Sequence, residues 1–595
     1  MQRLWCWGLL ACWSVLGWAA DAPLTTHAER SKYRETGRYA EVLELCAAYA
    51  QAYPEVARCD EFGRTPEGRP MVALVASRSG AMTPALAREK SIPVILIQGG
   101  IHAGEIDGKD AGFWAMREIL DGKVAEGALG KLVLVFVPVF NVDGHERFGA
   151  WNRPNQRGPK EMGWRTTAQN YNLNRDYMKA DAPEMQAMLK LINTWDPLIT
   201  VDLHVTDGAK FEHDVSITLE PVYSGDDALR QLGLALRTSL IEDLTRQGSL
   251  PLPFYPSFVV NDDPSSGFAD GVATPRFSTG YLPLRNRIGI LVETHSWKDY
   301  KTRVQITRNA LVSLVTLAGT KGFDWIALAA RADKRATLLG GQNVPLAYAA
   351  QGEPREIEFR GYAYTRTPSP VSGALMTRYD ESKPEIWKVP LRDDVRPSLS
   401  VTAPLGGYIV PAAHADWVAQ RLDLHGVEYR RLGAAIAHAA TQTFRAERVE
   451  FSPTSVEGHQ RLTVSGTWKD EPRDVPAGSL WVPIGQAKSR LVVALLEPQA
   501  PDSLAAWGDF NTAFERKEYM EDYVAEEVAE QMLKKDTKLA AEFKARLDAD
   551  PAFAQNPAAR LDFFYRRHSS FDERFELYPV MRVGRGVIPD PAPTP

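Results

Sequence analysis

The chain has 595 residues, is 44% hydrophobic and 24% charged, and sets 69 Lys and Arg against 75 Asp and Glu for a net charge of −6. These values exclude a long disordered chain, a collagen-like repeat and a protein too small to bury a core. They also argue against a nucleic-acid binder, which carries a basic excess.

The chain opens MQRLWCWGLLACWSVLGWAADAP, with one Arg, an apolar run from Leu4 to Trp18, and small residues at Ala19 and Ala20. This is the layout of a secretory signal peptide over 1–20. An apolar run of about 15 residues is short for a membrane span, which takes about 20. No later stretch is expected to reach that length, so the mature chain is expected to be exported, periplasmic or extracellular, without a stable membrane span. Of the four cysteines, Cys46 and Cys59 lie beyond the signal. They can pair outside the cytoplasm, but are too few for a disulfide framework or a Cys-based zinc site.

Residues 38–53 show helical apolar spacing and end before Pro54. Continuous apolar runs follow at 70–76, 92–98, 132–139, 198–205 and 288–293. They do not alternate, which suits strands buried on both faces of a largely parallel sheet. Helical segments at 108–120, 182–195 and 226–247 separate them. The alternation predicts an α/β domain over 21–335, with a mixed, largely parallel central sheet flanked by helices. The texture then changes. Residues 340–410 are rich in Pro, Gly, Thr and Arg, with short strand-like pieces. A helix-like stretch ends at Gly426, strand texture returns from 440 to 497, and 511–549 looks helical with many i,i+4 charge pairs. This predicts a mixed α+β region over 336–595, of unknown role, and an unstructured DPAPTP tail. No internal repeat is present.

The chemistry sits at strand ends, where an α/β sheet places its active site. The run 92–98 leads into GGIHAGE, with His102 and Glu105. DLHVTDG carries His204, and LVETHSW carries Glu293. Two neutral imidazoles and one carboxylate bind Zn²⁺ with a fourth position open for water, and a further carboxylate can take that water's proton. Each piece alone recurs by chance; their joint placement is what carries weight. No Gly-Lys-Ser phosphate loop, dinucleotide fingerprint or Gly-x-Ser-x-Gly elbow is present.

His102-Ala-Gly-Glu105, Asn141-Val-Asp-Gly144, Asn172-Leu-Asn174-Arg175, His204 and Glu293, in this order, resemble the carboxypeptidase A-type zinc metallocarboxypeptidases, the funnelins. FGRTPEGRPMVALVAS resembles the family's first strand region. The resemblance covers about 30–320 and leaves 340–595 unexplained. It implies one zinc ion held by His102, Glu105 and His204, with Glu293 as the general base. It makes Asn174 and Arg175 the pair that holds a substrate's terminal carboxylate. Arg165, nine residues before Asn174, takes the oxyanion-stabilising role, with Arg153 and Arg157 as competitors. Tyr281 matches a tyrosine near the substrate's end. One departure is Asn172, where many members carry Asp to orient the first zinc histidine; a neutral partner raises ligand basicity less. Asn-Val-Asp-Gly replaces the more usual Asn-Pro-Asp-Gly. No large propeptide fits between the signal and the first family strand.

The expected substrates are peptide or protein C-termini, with no nucleic acid and an undetermined oligomeric state. Two alternatives stand beside this: a zinc amidase-like or cell-wall peptide hydrolase, and a non-catalytic binding protein on the same fold. His145, His213 and His295 are expected to lie around the site or on the surface. Asp262 and Asp263 are the candidates for a preference for basic C-terminal residues, with a solvated turn as the plainer reading.

Overall fold

The computed structural model describes residues 24–588 apart from residue 207. The signal segment with Cys6 and Cys12, and the DPAPTP tail, lie outside the described residues. Nine strands precede residue 300: β1 (Ala57–Arg64), β2 (Pro70–Ala76), β3 (Val94–Gly99), β4 (Val133–Val137), β5 (Ile199–Thr206), β6 (Val215–Glu220), β7 (Pro251–Leu252), β8 (Phe268–Ala269) and β9 (Ile288–His295). All but β8 form one eight-stranded sheet, ordered β1-β2-β4-β3-β5-β9-β6-β7. The centre, β4-β3-β5-β9, is parallel, and antiparallel pairs join β1 to β2, β2 to β4 and β6 to β9. The expected mixed, largely parallel sheet is therefore present. Every residue of β3, β4 and β5 is buried, which is why these strands read as unbroken apolar runs.

Helices Tyr39–Ala52, Asp107–Leu120, Pro183–Trp195 and Asp227–Arg246 stand where helical spacing places them. Cys46, on the first of these, is disulfide-bonded to Cys59 on β1. Helix Tyr300–Ala336 corrects one expectation, since by length and composition alone it could cross a membrane. Its buried stripe, including Val304, Thr307, Leu311, Leu314 and Ala318, packs against helices Asp107–Leu120 and Asp227–Arg246, so it is a core helix here.

Beyond residue 340 the short strand-like pieces form a long hairpin, Arg355–Pro368 with Leu375–Arg392, whose second strand pairs with β8. A six-stranded sheet follows, including Gly407–Val410, Thr441–Phe451, Leu462–Asp470 and Met581–Val583. Helix Ala415–His425 ends at Gly426, which takes the left-handed conformation expected of a C-cap. Part of the run read as strand, Ser489–Leu496, is instead a buried helix. The charged segment splits into helices Asp522–Lys535 and Thr537–Ala549, with Asp536 capping the second. One hydrophobic core is shared between the two regions: Leu189 and Ile192 belong to the same cluster as Val418, Leu491 and Leu495.

Candidate active site

β3 ends at Gly99, where an added Cβ would sit 2.7 Å from the Pro138 carbonyl oxygen, and Gly100 turns the chain at φ 62°. The loop that follows carries His102 and Glu105 to the start of helix Asp107–Leu120. β5 and β9 are neighbours, and their register sets His204 beside Glu293. Parallel pairing therefore brings together groups nearly 200 residues apart.

His102, Glu105 and His204 are all buried, and one donor atom from each lies within 4.8 Å of the others. Glu105 Oε1 is 3.0 Å from His102 Nδ1, and its Oε2 is 3.0 Å from His204 Nδ1. Both Nε2 atoms face outward to partners. His102 Nε2 donates to Asn172 Oδ1 at 3.1 Å, and the same oxygen accepts from the Asn174 backbone N–H, which fixes the amide's orientation. His204 Nε2 lies 3.1 Å from Asp202 Oδ1. This arrangement leaves both Nδ1 lone pairs turned toward one carboxylate. The donor set suits a divalent metal, and the outer partners are those that fix the tautomer of a metal-binding histidine.

The two imidazoles differ electrostatically: burial lowers His204, but Asp202, Glu293 and Glu105 outweigh it and raise it well above the usual imidazole range. Burial lowers His102 to about 4, so it is neutral and ligating near pH 7. Burial alone would raise Glu105, but Arg153, His102 and His204 hold it well below the usual carboxylate range. Burial pushes Glu293 upward, and the nearby Glu105 and Asp202 add to this against the pull of His204 and Arg153. Glu293 Oε1 is 4.0 Å from His204 Nδ1, and its Oε2 has no hydrogen-bond partner among the described residues. A buried carboxylate with one oxygen unbonded is suited to accepting a proton.

The three arginines separate. Arg153 Nη1 lies 3.0 Å from Glu105 Oε1, and its Nη2 donates to the Val205 carbonyl at 3.2 Å. Gly104 leaves room for it, since a Cβ there would lie 2.6 Å from Arg153 Cγ. Arg165 is more exposed and lies 3.5 Å from the same Glu105 oxygen. Asn141 Nδ2 donates to the Arg165 carbonyl at 3.0 Å, so the Asn-Val-Asp-Gly turn holds Arg165 in place. Asp143 of that turn accepts from Thr65 and Arg69 of the early FGRTPEGRP stretch. Arg157 points elsewhere, to Glu381.

Asn174 and Arg175 sit on the short 3-10 turn Leu173–Arg175. The Arg175 guanidinium lies 4.4 Å from the Phe277 ring centroid and donates to the Asn174 carbonyl at 2.8 Å. No carboxylate among the described residues forms an ion pair with it. His102, Glu105, His204, Glu293, Arg153, Arg165, Asn174 and Arg175 all line one cavity of about 440 Å³. A larger cavity of about 710 Å³ adjoins it through Val272 and Ala273 but holds none of these groups.

Tyr281 is a correction. Its side chain is fully buried and lines neither cavity; its hydroxyl bonds His425 Nδ1 at 2.9 Å and accepts from Arg285 at 3.2 Å. It packs the interface with helix Ala415–His425. Tyr255, which position along the chain does not single out, lines the catalytic cavity, with its hydroxyl accepting from Thr206 Oγ1 at 3.0 Å. Asp262 and Asp263 bond Thr377 and Arg366 and do not line it. Besides Glu105 and Glu293, the acidic residues lining the cavity are Glu220 and Asp270; Asp270 accepts from Tyr223 at 2.8 Å, with Arg237 4.0 Å away. His145, His213 and His295 stay out of the cavity; His295 stacks on Phe211 at 3.9 Å.

Residues 42–221 match the model of the zinc carboxypeptidase (peptidase M14) family. Carboxypeptidase 2 of Trichophyton rubrum is 23% identical over 478 residues, covering 75% of this chain and 79% of its own. Carboxypeptidase B of Helicoverpa zea is 29% identical over 126 residues, 20% of this chain and 28% of its own. Among solved structures, carboxypeptidase A of Helicoverpa armigera covers 50% of this chain and 74% of its own at 16% identity and TM-score 0.34. A metallo-carboxypeptidase of Burkholderia cenocepacia covers 47% and 69% at 17% identity and TM-score 0.34. These findings support a carboxypeptidase A-type zinc carboxypeptidase domain over the matched segment and a peptide-bond hydrolase. Glu293 lies outside the matched segment and joins the site through the β5–β9 register.

Proposed function

We propose that this chain is an exported zinc carboxypeptidase that removes residues from the C-termini of peptides. The observation that carries the reading is the cavity itself. The His102–Glu105–His204 cluster, Glu293 and Arg175, whose guanidinium forms no ion pair among the described residues, line one space. When bound by these three residues, zinc supplies Lewis acidity, polarising the scissile carbonyl and lowering the pKa of a water.

The chain's own groups do the rest. Arg175, with Asn174, grips the terminal carboxylate with a forked pair of charge-assisted hydrogen bonds, which explains a demand for a free chain end. Phe277 holds the guanidinium plane from one side. Arg165 offers N–H donors where negative charge develops on the carbonyl oxygen. Arg153 is committed to Glu105 and the Val205 carbonyl, so of the arginines in the cavity Arg165 is the better suited to this role. Glu293 Oε2 accepts the proton of the attacking water and returns it to the departing amine. Burial raises its proton affinity enough for that exchange near neutral pH.

The test is purified mature protein with zinc on a mixed peptide pool, read by mass spectrometry beside Glu293→Gln. A ladder of shortened C-termini that is absent in the variant is the expected result. An untouched pool with zinc bound refutes the general-peptidase reading and leaves a specialised amidase, a cell-wall hydrolase or a non-catalytic binding protein.

A further inference from the structure

The hairpin Thr441–Phe451 and Leu462–Asp470 of the C-terminal sheet ends in a loop that meets the catalytic region. Its tip closes tightly: Val456 N donates to the His459 carbonyl at 2.9 Å, and His459 N to the Val456 carbonyl at 3.0 Å. The two central residues, Glu457 and Gly458, have φ of 51° and 82°. A two-residue turn with both φ positive favours Asn-Gly or Gly-Gly. Gly458 obeys that rule and Glu457 does not. A strained non-glycine residue persists where its surroundings hold it.

What holds Glu457 lies outside the turn. Its Oε2 accepts from the backbone N–H of Asn172 at 3.0 Å, across 285 residues of chain. Asn172 links the two parts of the site: its side-chain oxygen accepts a hydrogen bond from His102 Nε2, and it opens the turn that carries Asn174 and Arg175. Two further bonds fasten the same loop on the C-terminal side of Glu457. His459 Nε2 meets Asp181 Oδ2 at 2.7 Å. Arg461 donates to Asp502 at 3.1 Å, and Asp502 accepts from the Arg276 backbone N–H at 2.9 Å. Arg276 directly precedes Phe277, the ring against Arg175. The loop is thus tied to both walls that confine the guanidinium. Burial, Arg165 and Arg276 all disfavour the charge on Arg175, and Glu457 opposes them.

We propose that Glu457 is a positioning residue for the terminal-carboxylate site: the C-terminal region reaches in to fix the Asn172–Arg175 turn without touching substrate. This rests on the carboxypeptidase reading above. It gives the 336–595 region a role in the site and makes substrate capture depend on a contact between the two regions.

Glu457→Gly removes the side chain while suiting the turn, and Glu457→Gln keeps an acceptor oxygen. The glycine variant should keep its thermal midpoint and raise KM for free-carboxylate peptides about tenfold, with kcat within about threefold. Glu457→Gln should stay within about threefold of wild type on both. Amide exchange over 172–175 should accelerate at least about tenfold in the glycine variant only. An unchanged exchange rate overturns the proposal. So does faster exchange with unchanged KM, which would make the contact purely structural, or a KM rise that tracks a fall in thermal midpoint. A wild-type enzyme that ignores free C-termini overturns the catalytic reading instead, and exchange then shows independently whether Glu457 holds the turn.

Discussion

Replacing Arg175 by Met tests the demand for a free C-terminus most directly. The guanidinium makes one hydrogen bond, to the carbonyl of its own turn, and forms no ion pair with any described carboxylate. Its close charged neighbours are mostly cationic, Arg165 and Arg276. A substrate carboxylate is then its natural partner. Hydrogen bonds to charged groups contribute about 1.5–3 kcal/mol each, and a fork makes two. Because the site is open to solvent on one side, we take the lower part of that range, about 3–4 kcal/mol in total. At about 1.36 kcal/mol per tenfold, kcat/KM should fall by about 200- to 900-fold. The assay compares an N-acylated dipeptide with its C-terminal amide. Wild type should prefer the acid by about that factor, and Arg175→Met should lose the preference by falling to the amide level. Arg175→Lys keeps a charge without the fork and should lie between. The thermal midpoint should move little, since the loss of one local hydrogen bond and the Phe277 ring contact is offset by relief of repulsion from Arg165 and Arg276. If Arg175→Met keeps the acid-to-amide ratio within about threefold, the assignment of Arg175 is wrong.

Three further predictions concern stability. The Cys46–Cys59 disulfide closes a loop of sequence separation 13, so its loss should cost about 3 kcal/mol; reductant should lower the thermal midpoint of wild type and leave a Cys46→Ser/Cys59→Ser variant unmoved. Glu184 is buried with neither carboxyl oxygen hydrogen-bonded, and burial, with Asp143 and Asp176, raises its pKa to about 7. Between about pH 4.5 and 7 the folded state keeps a proton that the unfolded state has lost, so stability should fall with rising pH by up to about 3 kcal/mol. Glu184→Gln should therefore be more stable than wild type at pH 8 and equal to it near pH 4, and a pH-independent difference in denaturation midpoint would falsify this. Arg303 is fully buried, bonds Asp107 at 2.8 Å and donates to the Arg157 and Gly158 carbonyls. Arg303→Met should cost about 3–5 kcal/mol by leaving Asp107 buried and unpaired, and adding Asp107→Asn should recover part of it in a double-mutant cycle.

The catalytic sheet and its ligands were legible because burial on both faces leaves an unmistakable mark. β3, β5 and β9 appear as unbroken apolar runs, and polar residues directly after such runs can only lie at strand ends. His102, Glu105, His204 and Glu293 follow from that logic together with the family resemblance. Elements with mixed exposure were harder to read. β1, ARCDEFGR, is a half-exposed edge strand with charges along it and no apolar run to mark it. Ser489–Leu496 is an unbroken apolar run from Leu491 to Leu496 because that stretch is fully buried, and a run of that length suits strand and helix equally.

What sequence alone determines here is the periodicity of each buried element and the chemistry that each strand end offers. Which loop groups face the cavity was decided by tertiary structure. Tyr281 and Tyr255 both lie upstream of Glu293, yet one is sealed against His425 and the other meets Thr206 at the cavity wall. Arg153 and Arg157 are four residues apart, yet one reaches Glu105 and the other Glu381. Glu457 contacts Asn172 only because a distant hairpin packs over the site. The physical reason is the same in each case. A strand or helix fixes side-chain direction through its own hydrogen-bonded repeat, whereas a loop side chain takes its direction from whatever non-local surface the fold brings against it.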